Sequence, residues 1–459
     1  MTLRDPSDPR PIHFMGIAGA GMSALAELFV RRGVAITGCD SDAAGAARAR
    51  SAGLAVEAGH DPGHVERVRA VVVTSAVRKD HPELVRARGL GLPIVRRAEA
   101  LAEAVTGGEL VAIAGTHGKT STTVLTTEAL ASAGLAPTGL AGARVSQWGG
   151  NILGGDERVF VVEADEFDRS FLALRPTIAV VTNMEADHLD TYSGLDDIRA
   201  AFAEFVGRAR AVVLCADDEG ASSIPLPATA EIVRYGITSP HARLVATGLR
   251  ESAAGSVFDV VYDGALLGAV ELRMAGRHSV LNALAAIGSG LALGAKVEQM
   301  RAGLARCAGA DRRFQAVGEA RGITVIDDYA HHPTEIRATV QAARASFPGA
   351  RLVVAFQPHL FSRTRDFADE FAEALSAVDA LFLADIYPSR EKPIPGVTSA
   401  VISEPLRRKG RNPAWEGPRE GMAGALAAAA RPGDVVITVG AGDVTLTARE
   451  LLDLLNARQ

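Results

Sequence analysis

The sequence predicts an α/β fold of three domains, each with a largely parallel sheet between helices. Its 459 residues exceed what one hydrophobic core usually organises. From residue 12 onward, short apolar runs typical of buried strands alternate with segments whose apolar residues have helical spacing. Interruptions at residues 106–108 and within 310–320 predict domains over 1–107, 108–314 and 315–459.

Composition narrows the class of protein. The chain is 48% hydrophobic and 22% charged, with a formal net charge of −6, whereas a nucleic-acid-binding surface is usually basic. No apolar run reaches the roughly 18 residues of a membrane span, and the N-terminus lacks the apolar core of a signal peptide. The three cysteines, Cys39, Cys215 and Cys307, are scattered, as expected in a reducing compartment. We therefore expect a cytoplasmic protein without nucleic-acid or membrane partners.

The first domain opens with a strand, a glycine turn and a helix. The turn contains Gly16, Gly19 and Gly21, and the next strand ends in Asp40, an order typical of dinucleotide-binding units. The glycines follow GxxGxG, however, and not the dinucleotide pattern GxGxxG. The turn thus indicates a diphosphate site that is not specific to NAD. A turn that serves only strand–helix packing is the simpler alternative.

The second domain opens on a phosphate-loop pattern. The apolar run 110–114 predicts a buried strand, which leads through Gly115 and Gly118 into Lys119, Thr120 and a helix. A helix N-terminus presents N–H groups to an anion, a lysine suits the β- and γ-phosphates, and a threonine hydroxyl suits Mg²⁺. Ile113 occupies the position of the first glycine in the common pattern, so the loop is a shorter variant. We expect a nucleoside triphosphate here.

Two later strands of this domain end in acids. Glu163 follows one apolar run and His188 lies in an acidic stretch after the next, so both should lie beside Lys119 at the carboxyl edge of the sheet. Carboxylates there suit a phosphate-bound Mg²⁺, although solvated strand ends are a simpler alternative. The glycine-rich segment 134–156 suggests a long loop, and residues 256–274 alternate like an antiparallel edge hairpin. His278 and Asn282, one turn apart on a helix, share a face that could contact nucleotide.

The third domain repeats strands that end in polar clusters. Asp327 and Asp328 end the first strand, and His331 and His332 follow in the turn. Two adjacent histidines suggest a metal, but one histidine with a carboxylate does not make a closed zinc site, so substrate or orienting roles are favoured. Arg363 lies in the loop after the next strand. A GAGD turn at 440–443 closes the domain, which we expect to be another doubly wound parallel sheet.

Taken together and in this order, the motifs resemble the Mur ligase family over nearly the whole chain. The motifs are GIAGAGM (16–22), AGTHGKTSTT (114–123), EADE (163–166), TNMEADHLDTY (182–192), GRHSVLN (276–282), DRRF (311–314), DDYAHHPTEI (327–336), FQPHLFSRTRD (356–366), IYP (386–388) and GAGD (440–443). The resemblance implies a Rossmann-like domain for a UDP-sugar, a central P-loop-like ATPase domain, and a Rossmann-like domain for an amino acid. It is strongest to the branch that joins L-alanine to UDP-N-acetylmuramate.

The resemblance also implies the chemistry and the residues that carry it. A carboxylate is activated by ATP as an acyl phosphate, and the amino acid's amine then displaces phosphate. ATP and Mg²⁺, or Mn²⁺ as an alternative, are the expected cofactors, and the protein is expected to be a monomer or dimer. The expected catalytic residues are Lys119, His188, Arg313, His331 and Arg363; the metal ligands are Thr120, Glu163 and His188. Nucleotide contacts are expected from Gly115, Thr116, His117, Gly118, Lys119, Thr120, Ser121, His278, Asn282, Arg312, Arg313, Asp327 and Asp328. Substrate contacts are expected from Gly16, Gly19, Gly21, Met22, Asp40, Ser75, Tyr329, His331 and Arg363.

The chain departs from the family pattern at two positions. Leu360 replaces an arginine common in the family, and Ser279 replaces a common asparagine. The absence of lysine from 189–210 argues against the sister ligases that use a carbamylated lysine. Alternatives are a ligase that joins the same sugar nucleotide to a preformed tripeptide, an NAD-dependent oxidoreductase, and a nucleotide-binding regulatory module. On sequence grounds, Lys119→Ala should abolish turnover and leave the protein folded.

Overall fold

The computed structural model describes residues 3–5, 7–51, 53–74, 76–188, 191–389 and 391–457. It contains three sheets, of five, ten and six strands, which confirms the predicted α/β class. Packing divides the chain into two compact units, one of residues 1–247, 259–270 and 281–309, the other of 248–258, 271–280 and 310–459. Among the described residues, no helix combines the length and the apolar character that a membrane crossing requires.

The first sheet has the order β3-β2-β1-β4-β5, and all its strand pairs are parallel. Its strands are β1 Ile12–Met15, β2 Ile36–Asp40, β3 Ala55–Ala58, β4 Ala70–Val73 and β5 Ile94–Arg96. The helices are α1 Ala20–Arg31, α2 Ala43–Ser51, α3 Pro82–Gly89 and α4 Arg97–Ala104. Helix α1 ends as its sequence predicts, because Gly33 follows it at φ +76°, a conformation that glycine adopts readily.

The second sheet has the order β15-β14-β13-β12-β11-β10-β6-β9-β7-β8. Its strands are β6 Glu109–Ala114, β7 Thr138–Val145, β8 Gly150–Leu153, β9 Val159–Glu163, β10 Ile178–Val181, β11 Ala211–Cys215, β12 Glu231–Gly236, β13 Leu244–Ser252, β14 Gly255–Tyr262 and β15 Ala265–Leu272. The helices are α5 Lys119–Ser132, α6 Leu195–Val206, α7 Glu219–Ser222, α8 Arg277–Ala292 and α9 Val297–Arg306. Strands β6, β9 and β10 are parallel neighbours, so their carboxyl ends meet at one edge, as predicted.

The expectation of a long loop over 134–156 is wrong. This segment forms β7 and β8, which pair antiparallel at the end of the sheet. Its glycines serve close packing: a Cβ on Gly139 would lie 2.4 Å from Thr127 Oγ1 of α5, and one on Gly155 would lie 2.0 Å from the Ala136 carbonyl oxygen. Strands β14 and β15 do lie at the opposite edge, as the alternation of residues 256–274 predicts.

The third sheet has the order β16-β17-β21-β18-β19-β20, parallel except for the antiparallel pair β16–β17. Its strands are β16 Gln315–Ala320, β17 Ile323–Asp328, β18 Leu352–Phe356, β19 Ala380–Ala384, β20 Trp415–Gly417 and β21 Val435–Val439. The helices are α10 Pro333–Ser346, α11 Phe361–Asp366, α12 Ala368–Leu375, α13 Ala400–Arg408, α14 Arg419–Ala429 and α15 Thr445–Ala457. Apolar side chains cover both faces, as in a doubly wound sheet. The domain boundaries proposed from the sequence stay a prediction.

Candidate functional site

The turn between β6 and α5 has the geometry of an anion-binding loop. Gly115 and Gly118 have φ of +133° and +82°, conformations that side-chain-bearing residues rarely adopt. A Cβ on Gly115 would lie 2.0 Å from Thr182 Oγ1, and one on Gly118 would lie 2.8 Å from Asn282 Oδ1. Helix α5 begins at Lys119 without a side-chain cap from the described residues. The N–H groups of its first turn are therefore available to an anion.

The residues after β10 hold this loop in place. The Thr116 N–H donates to the Asn183 carbonyl at 3.2 Å, and the His117 N–H donates to Asn183 Oδ1 at 2.7 Å. The Thr182 hydroxyl donates to the His117 carbonyl at 2.6 Å, and the His117 ring bonds to the Glu185 carboxylate. The polar cluster that follows β10 thus fixes the loop conformation.

Lys119 forms a buried ion pair that the sequence did not identify. Its Nζ lies 2.7 and 3.0 Å from the two carboxylate oxygens of Glu166 and 2.7 Å from the Gly115 carbonyl oxygen. Burial lowers the pKa of Lys119, but Glu166, Asp165 and Glu163 together outweigh it and raise that pKa. The ammonium group is therefore charged and held beside the phosphate loop.

The predicted metal ligands lie at the same sheet edge. Glu163, at the end of β9, accepts a hydrogen bond from the Gly142 N–H, and a Cβ on Gly142 would lie 2.5 Å from Glu163 Oε2. Thr120 is buried in the first turn of α5. His188, at φ +53°, has its Nε2 3.8 Å from Glu166 Oε1. Hydroxyl and carboxylate oxygens suit a hard cation such as Mg²⁺, so this donor set fits the expected ion.

A cleft of about 1040 Å³ brings the first glycine turn and the second sheet together. Five predicted substrate contacts line it: Gly16, Gly19, Gly21, Met22 and Asp40. Ser75, a sixth, lies outside the described residues, although its neighbours Thr74 and Ala76 line the cleft. Gly142, Glu163 and Asp165 of the second domain also line it. One cavity therefore reaches from a diphosphate-type turn to a predicted metal carboxylate.

Asp40 stabilises the turn through both carboxylate oxygens. Oδ2 accepts from the Ala18 N–H at 2.8 Å, and Oδ1 accepts from the Asp42 N–H at 2.9 Å. The Gly16 N–H donates to the Cys39 carbonyl at 2.9 Å. In the structure, Asp40 stabilises the conformation of the turn. Its contact with a ligand stays a prediction.

Helix α8 carries Asn282 and His278, the predicted nucleotide contacts. Asn282 is buried against Gly118 of the phosphate loop, within the same unit. His278 belongs to the other unit, where a Cβ on Gly276 would lie 2.6 Å from its ring, and burial lowers its pKa to about 4. The Ser279 hydroxyl donates to a carbonyl one turn earlier at 2.7 Å. Asn282 therefore packs against the loop, and its contact with a nucleotide stays a prediction.

A second polar group lies at the carboxyl edge of the third sheet. Arg312 Nε is 3.2 Å from Asp327 Oδ2, and Arg312 Nη2 donates to the Gly440 carbonyl at 2.6 Å. The guanidinium carbons of Arg312 and Arg313 lie 4.9 and 5.0 Å from the Tyr329 ring centroid. Four residues predicted to bind nucleotide or substrate therefore lie together. Two of them, both arginines, contact the ring of Tyr329.

Asp328 supports this edge from within the protein. Its carboxylate accepts from the Phe314 N–H at 2.8 Å and from the Ala330 N–H at 2.7 Å. Burial raises the pKa of Asp328 to about 6, although both N–H groups favour the charged form. The carboxylate therefore connects the residues just after β17 to Phe314, just before β16.

His331 and Arg363 also lie close together. His331 Nδ1 is 3.0 Å from the Tyr329 carbonyl oxygen and 3.3 Å from a Glu335 carboxylate oxygen. Burial lowers the pKa of His331; Glu335 opposes this and the nearby positive charge of Arg363 adds to it. Arg363 itself is buried on α11. His332 caps α10 by accepting from the helix N–H two residues on.

Leu360, one of the sequence departures, has an unusual backbone. Its φ of +71° and ψ of 136° lie in a region that glycine occupies far more readily than leucine. Its N–H donates to the Tyr387 carbonyl at 3.0 Å, and the neighbouring His359 ring stacks on Tyr387 at 5.9 Å. The strained residue begins the short helix that carries Arg363.

Three sequence models of one family match successive parts of the chain. Residues 11–108 match the "Mur ligase family, catalytic domain", 113–290 the "Mur ligase middle domain", and 312–442 the "Mur ligase, glutamate ligase domain". The chain belongs to the Mur ligase family. This membership accounts for the phosphate loop, the carboxylate-ended strands and the three sheets as parts of one enzyme fold.

Relatives of this Mur ligase cover nearly its full length. It is 45% identical to the UDP-N-acetylmuramate–L-alanine ligase of Acidothermus cellulolyticus, over 97% of this chain and 95% of the relative. It is 44% identical to the UDP-N-acetylmuramate–L-alanine ligase of an Anaeromyxobacter species, over 98% of this chain and 99% of the relative. The crystal structure of UDP-N-acetylmuramate-alanine ligase from Thermotoga maritima superposes with a TM-score of 0.85 at 29% identity, covering 98% and 100%. A murein peptide ligase from Psychrobacter arcticus shares the fold, with a TM-score of 0.72 at 24% identity, covering 97% and 98%.

Sequence patterns did not identify the residues that position other side chains or the phosphate loop. Glu166 was one of several acids at a strand end, and its pairing with Lys119 depends on how β9 lies beside the phosphate loop. Thr182 and Asn183 appeared only as polar residues after an apolar run. A signal was present, because a buried loop needs partners for its N–H and C=O groups, and the following strand ends are where such partners lie.

Proposed function

We propose that this Mur ligase joins L-alanine to the lactyl carboxylate of UDP-N-acetylmuramate, with ATP hydrolysed to ADP and phosphate. The observation that carries the proposal is the cleft that reaches from the first glycine turn to Glu163, whose carboxylate interacts electrostatically with Lys119 of the phosphate loop. A sugar nucleotide with its diphosphate at that turn would extend its carboxylate toward the triphosphate site. The names of the full-length relatives support the same substrates.

The first step is phosphoryl transfer to the sugar carboxylate. A carboxylate oxygen attacks the γ-phosphorus, the bond to the ADP oxygen breaks, and an acyl phosphate forms. Lys119 and the N–H groups at the start of α5 would hold the transferring phosphate, and catalysis rests on positioning and charge neutralisation. Mg²⁺, when bound, neutralises phosphate charge; Thr120 and Glu163 would hold it, and His188 would serve a second position.

The second step is amide formation. The amine of L-alanine attacks the acyl carbon, the C–O bond to phosphate breaks, and the ammonium proton passes to solvent or to a neighbouring base. Arg363, buried and close to His331, suits the amino acid's carboxylate, since a guanidinium binds carboxylate through two parallel hydrogen bonds. Tyr329, flanked by Arg312 and Arg313, would form the rest of this pocket.

The test is phosphate release with UDP-N-acetylmuramate, ATP and Mg²⁺, with one amino acid added at a time. Release that depends on L-alanine and exceeds release with glycine or L-serine supports the proposal. Turnover with an L-alanyl-γ-D-glutamyl-diaminopimelate tripeptide but not with L-alanine would instead assign peptide recycling. A hydride-linked absorbance change without ATP would refute the ligase activity.

A further inference from the structure

A second cluster of metal-ligating side chains lies in the first domain, apart from the residues assigned to ATP and Mg²⁺. It comprises His13 on β1, Cys39 on β2, His64 on the short 3-10 helix Pro62–Val65, and Glu83 on α3. One donor atom from each lies within 4.8 Å of every other. Such a set of two imidazoles, a thiol and a carboxylate needs an explanation beyond core packing.

Strand register brings the first two groups together. In the parallel pair β1–β2, His13 is opposite Thr37 and Met15 is opposite Cys39, so alternate residues point to one face of the sheet. His13 Nδ1 lies 3.0 Å from the Thr37 hydroxyl, which leaves Nε2 directed at Cys39 Sγ, 3.3 Å away. A hydrogen bond to the second ring nitrogen is the usual support of a metal-bound histidine.

Three of the distances between donors are close to those of a tetrahedral site. Zn–S bonds of about 2.3 Å and Zn–N or Zn–O bonds of about 2.0–2.2 Å place neighbouring donors about 3.3–3.6 Å apart at tetrahedral angles. Cys39 Sγ lies 3.3 Å from His13 Nε2 and 3.2 Å from Glu83 Oε2, and His64 Nδ1 lies 2.9 Å from Glu83 Oε1. Every donor atom of the cluster lies within 4.8 Å of the others, so side-chain adjustments within the cluster would bring four donors onto one cation.

The charges of the cluster also favour a bound divalent cation. Glu83 is fully buried, and among the described residues its ion-pair partners are His60 and His64, with no lysine or arginine. A buried carboxylate without a cation is costly. Zn²⁺ bound by one carboxylate, one thiolate and two neutral imidazoles has no net charge, which suits a buried position.

We propose that His13, Cys39, His64 and Glu83 form a structural Zn²⁺ site. Four protein donors leave no open position, so the ion would stabilise and would not catalyse. It would join β1 and β2 to the 3-10 helix and α3. His60, which lies 3.2 Å from Cys39 Sγ, and His81, just before Glu83, both line the cleft. The ion would therefore stiffen one wall of the proposed sugar-nucleotide site.

The experiment uses the full chain, freed of metal with a chelator and titrated with Co²⁺ in excess Mg²⁺, which occupies sites made of oxygen donors. We expect one Co²⁺ per chain with a thiolate-to-cobalt charge-transfer band and the intense visible bands of tetrahedral cobalt. Cys39→Ser should lose the charge-transfer band. Cys215→Ser and Cys307→Ser are matched controls, since both residues are buried free cysteines elsewhere, and each should keep it.

A second variant guards against misfolding of Cys39→Ser. His64 is partly exposed on a short helix, so His64→Gln should fold and should bind Co²⁺ at least tenfold more weakly than the wild type. Zn²⁺ should raise the melting temperature of the metal-free wild type and have a smaller effect on His64→Gln. A wild-type protein without the charge-transfer band, or the same band in folded Cys39→Ser, would overturn the proposal.

Discussion

Replacing Lys119 by methionine tests both its observed ion pair with Glu166 and its proposed contact with phosphate. The sequence alone predicts that loss of this lysine abolishes turnover without affecting the fold. In the structure, however, the ammonium group neutralises Glu166, whose side chain is 4% exposed, while that of Lys119 is 15% exposed. The substitution should therefore reduce stability as well as activity.

The magnitude follows from the burial of the pair. Removing one partner of a buried ion pair leaves an uncompensated charge and typically costs about 3–5 kcal/mol. For a domain of roughly 200 residues this lowers the melting temperature by on the order of 10 °C. Loss of a positive charge from a transferring phosphate should lower kcat by at least about 100-fold.

A double variant separates the two effects. Lys119→Met/Glu166→Gln removes both charges and keeps the shape of the carboxylate, so it should regain most of the lost stability and none of the lost activity. The destabilisation of Lys119→Met alone should shrink as the pH falls, since burial already raises the pKa of Glu166 and protonation removes its charge. Thermal unfolding followed by circular dichroism and phosphate release measure the two outcomes.

Two results would refute this reasoning. A wild-type melting temperature in Lys119→Met would show that the ion pair contributes nothing to stability. Recovery of turnover in the double variant would show that the lysine charge is not used on phosphate.

Three further predictions concern other parts of the protein. Gly142→Ala places a methyl group 2.5 Å from Glu163 Oε2 and should displace this carboxylate. The Mg²⁺ concentration for half-maximal phosphate release should therefore rise severalfold. An unchanged Mg²⁺ dependence would argue against Glu163 as a metal ligand. Burial raises the pKa of Asp328 from 3.8 to about 6 in the folded protein, so the contribution of this group to stability is full below pH 4 and is lost as the pH rises to 6. Asp328→Asn should therefore flatten this part of the curve of stability against pH, as measured by urea titration. An unaltered slope would contradict the assignment. Arg363→Lys should raise KM for L-alanine by tenfold or more, because lysine cannot form the paired hydrogen bonds of a guanidinium. Arg365 is exposed on the same helix and paired with Asp366, so the control variant Arg365→Ala should leave KM unchanged. Equal effects in both variants would argue against binding of the alanine carboxylate by Arg363.

Elements of the fold that depend on local patterns were predictable. The apolar run 110–114 and the glycines at 115 and 118 predict a strand, a turn and a helix from neighbouring residues alone, and the structure has all three. The anion site at this turn stays a prediction. The same holds for the acids at strand ends, because parallel strands place their carboxyl ends at one edge. Local sequence was misleading over 134–156, where glycine served close packing and not loop geometry.

Side-chain partnerships between distant residues were decided by the tertiary structure. Lys119 pairs with a carboxylate 47 positions away, and the phosphate loop depends on Thr182 and Asn183 after another strand. The cluster of His13, Cys39, His64 and Glu83 exists only because of the register of β1 on β2 and the position of α3. Short-range spacing determines which strands and helices form, whereas which charges meet depends on sheet order and register, and these are set by the packing of the whole chain.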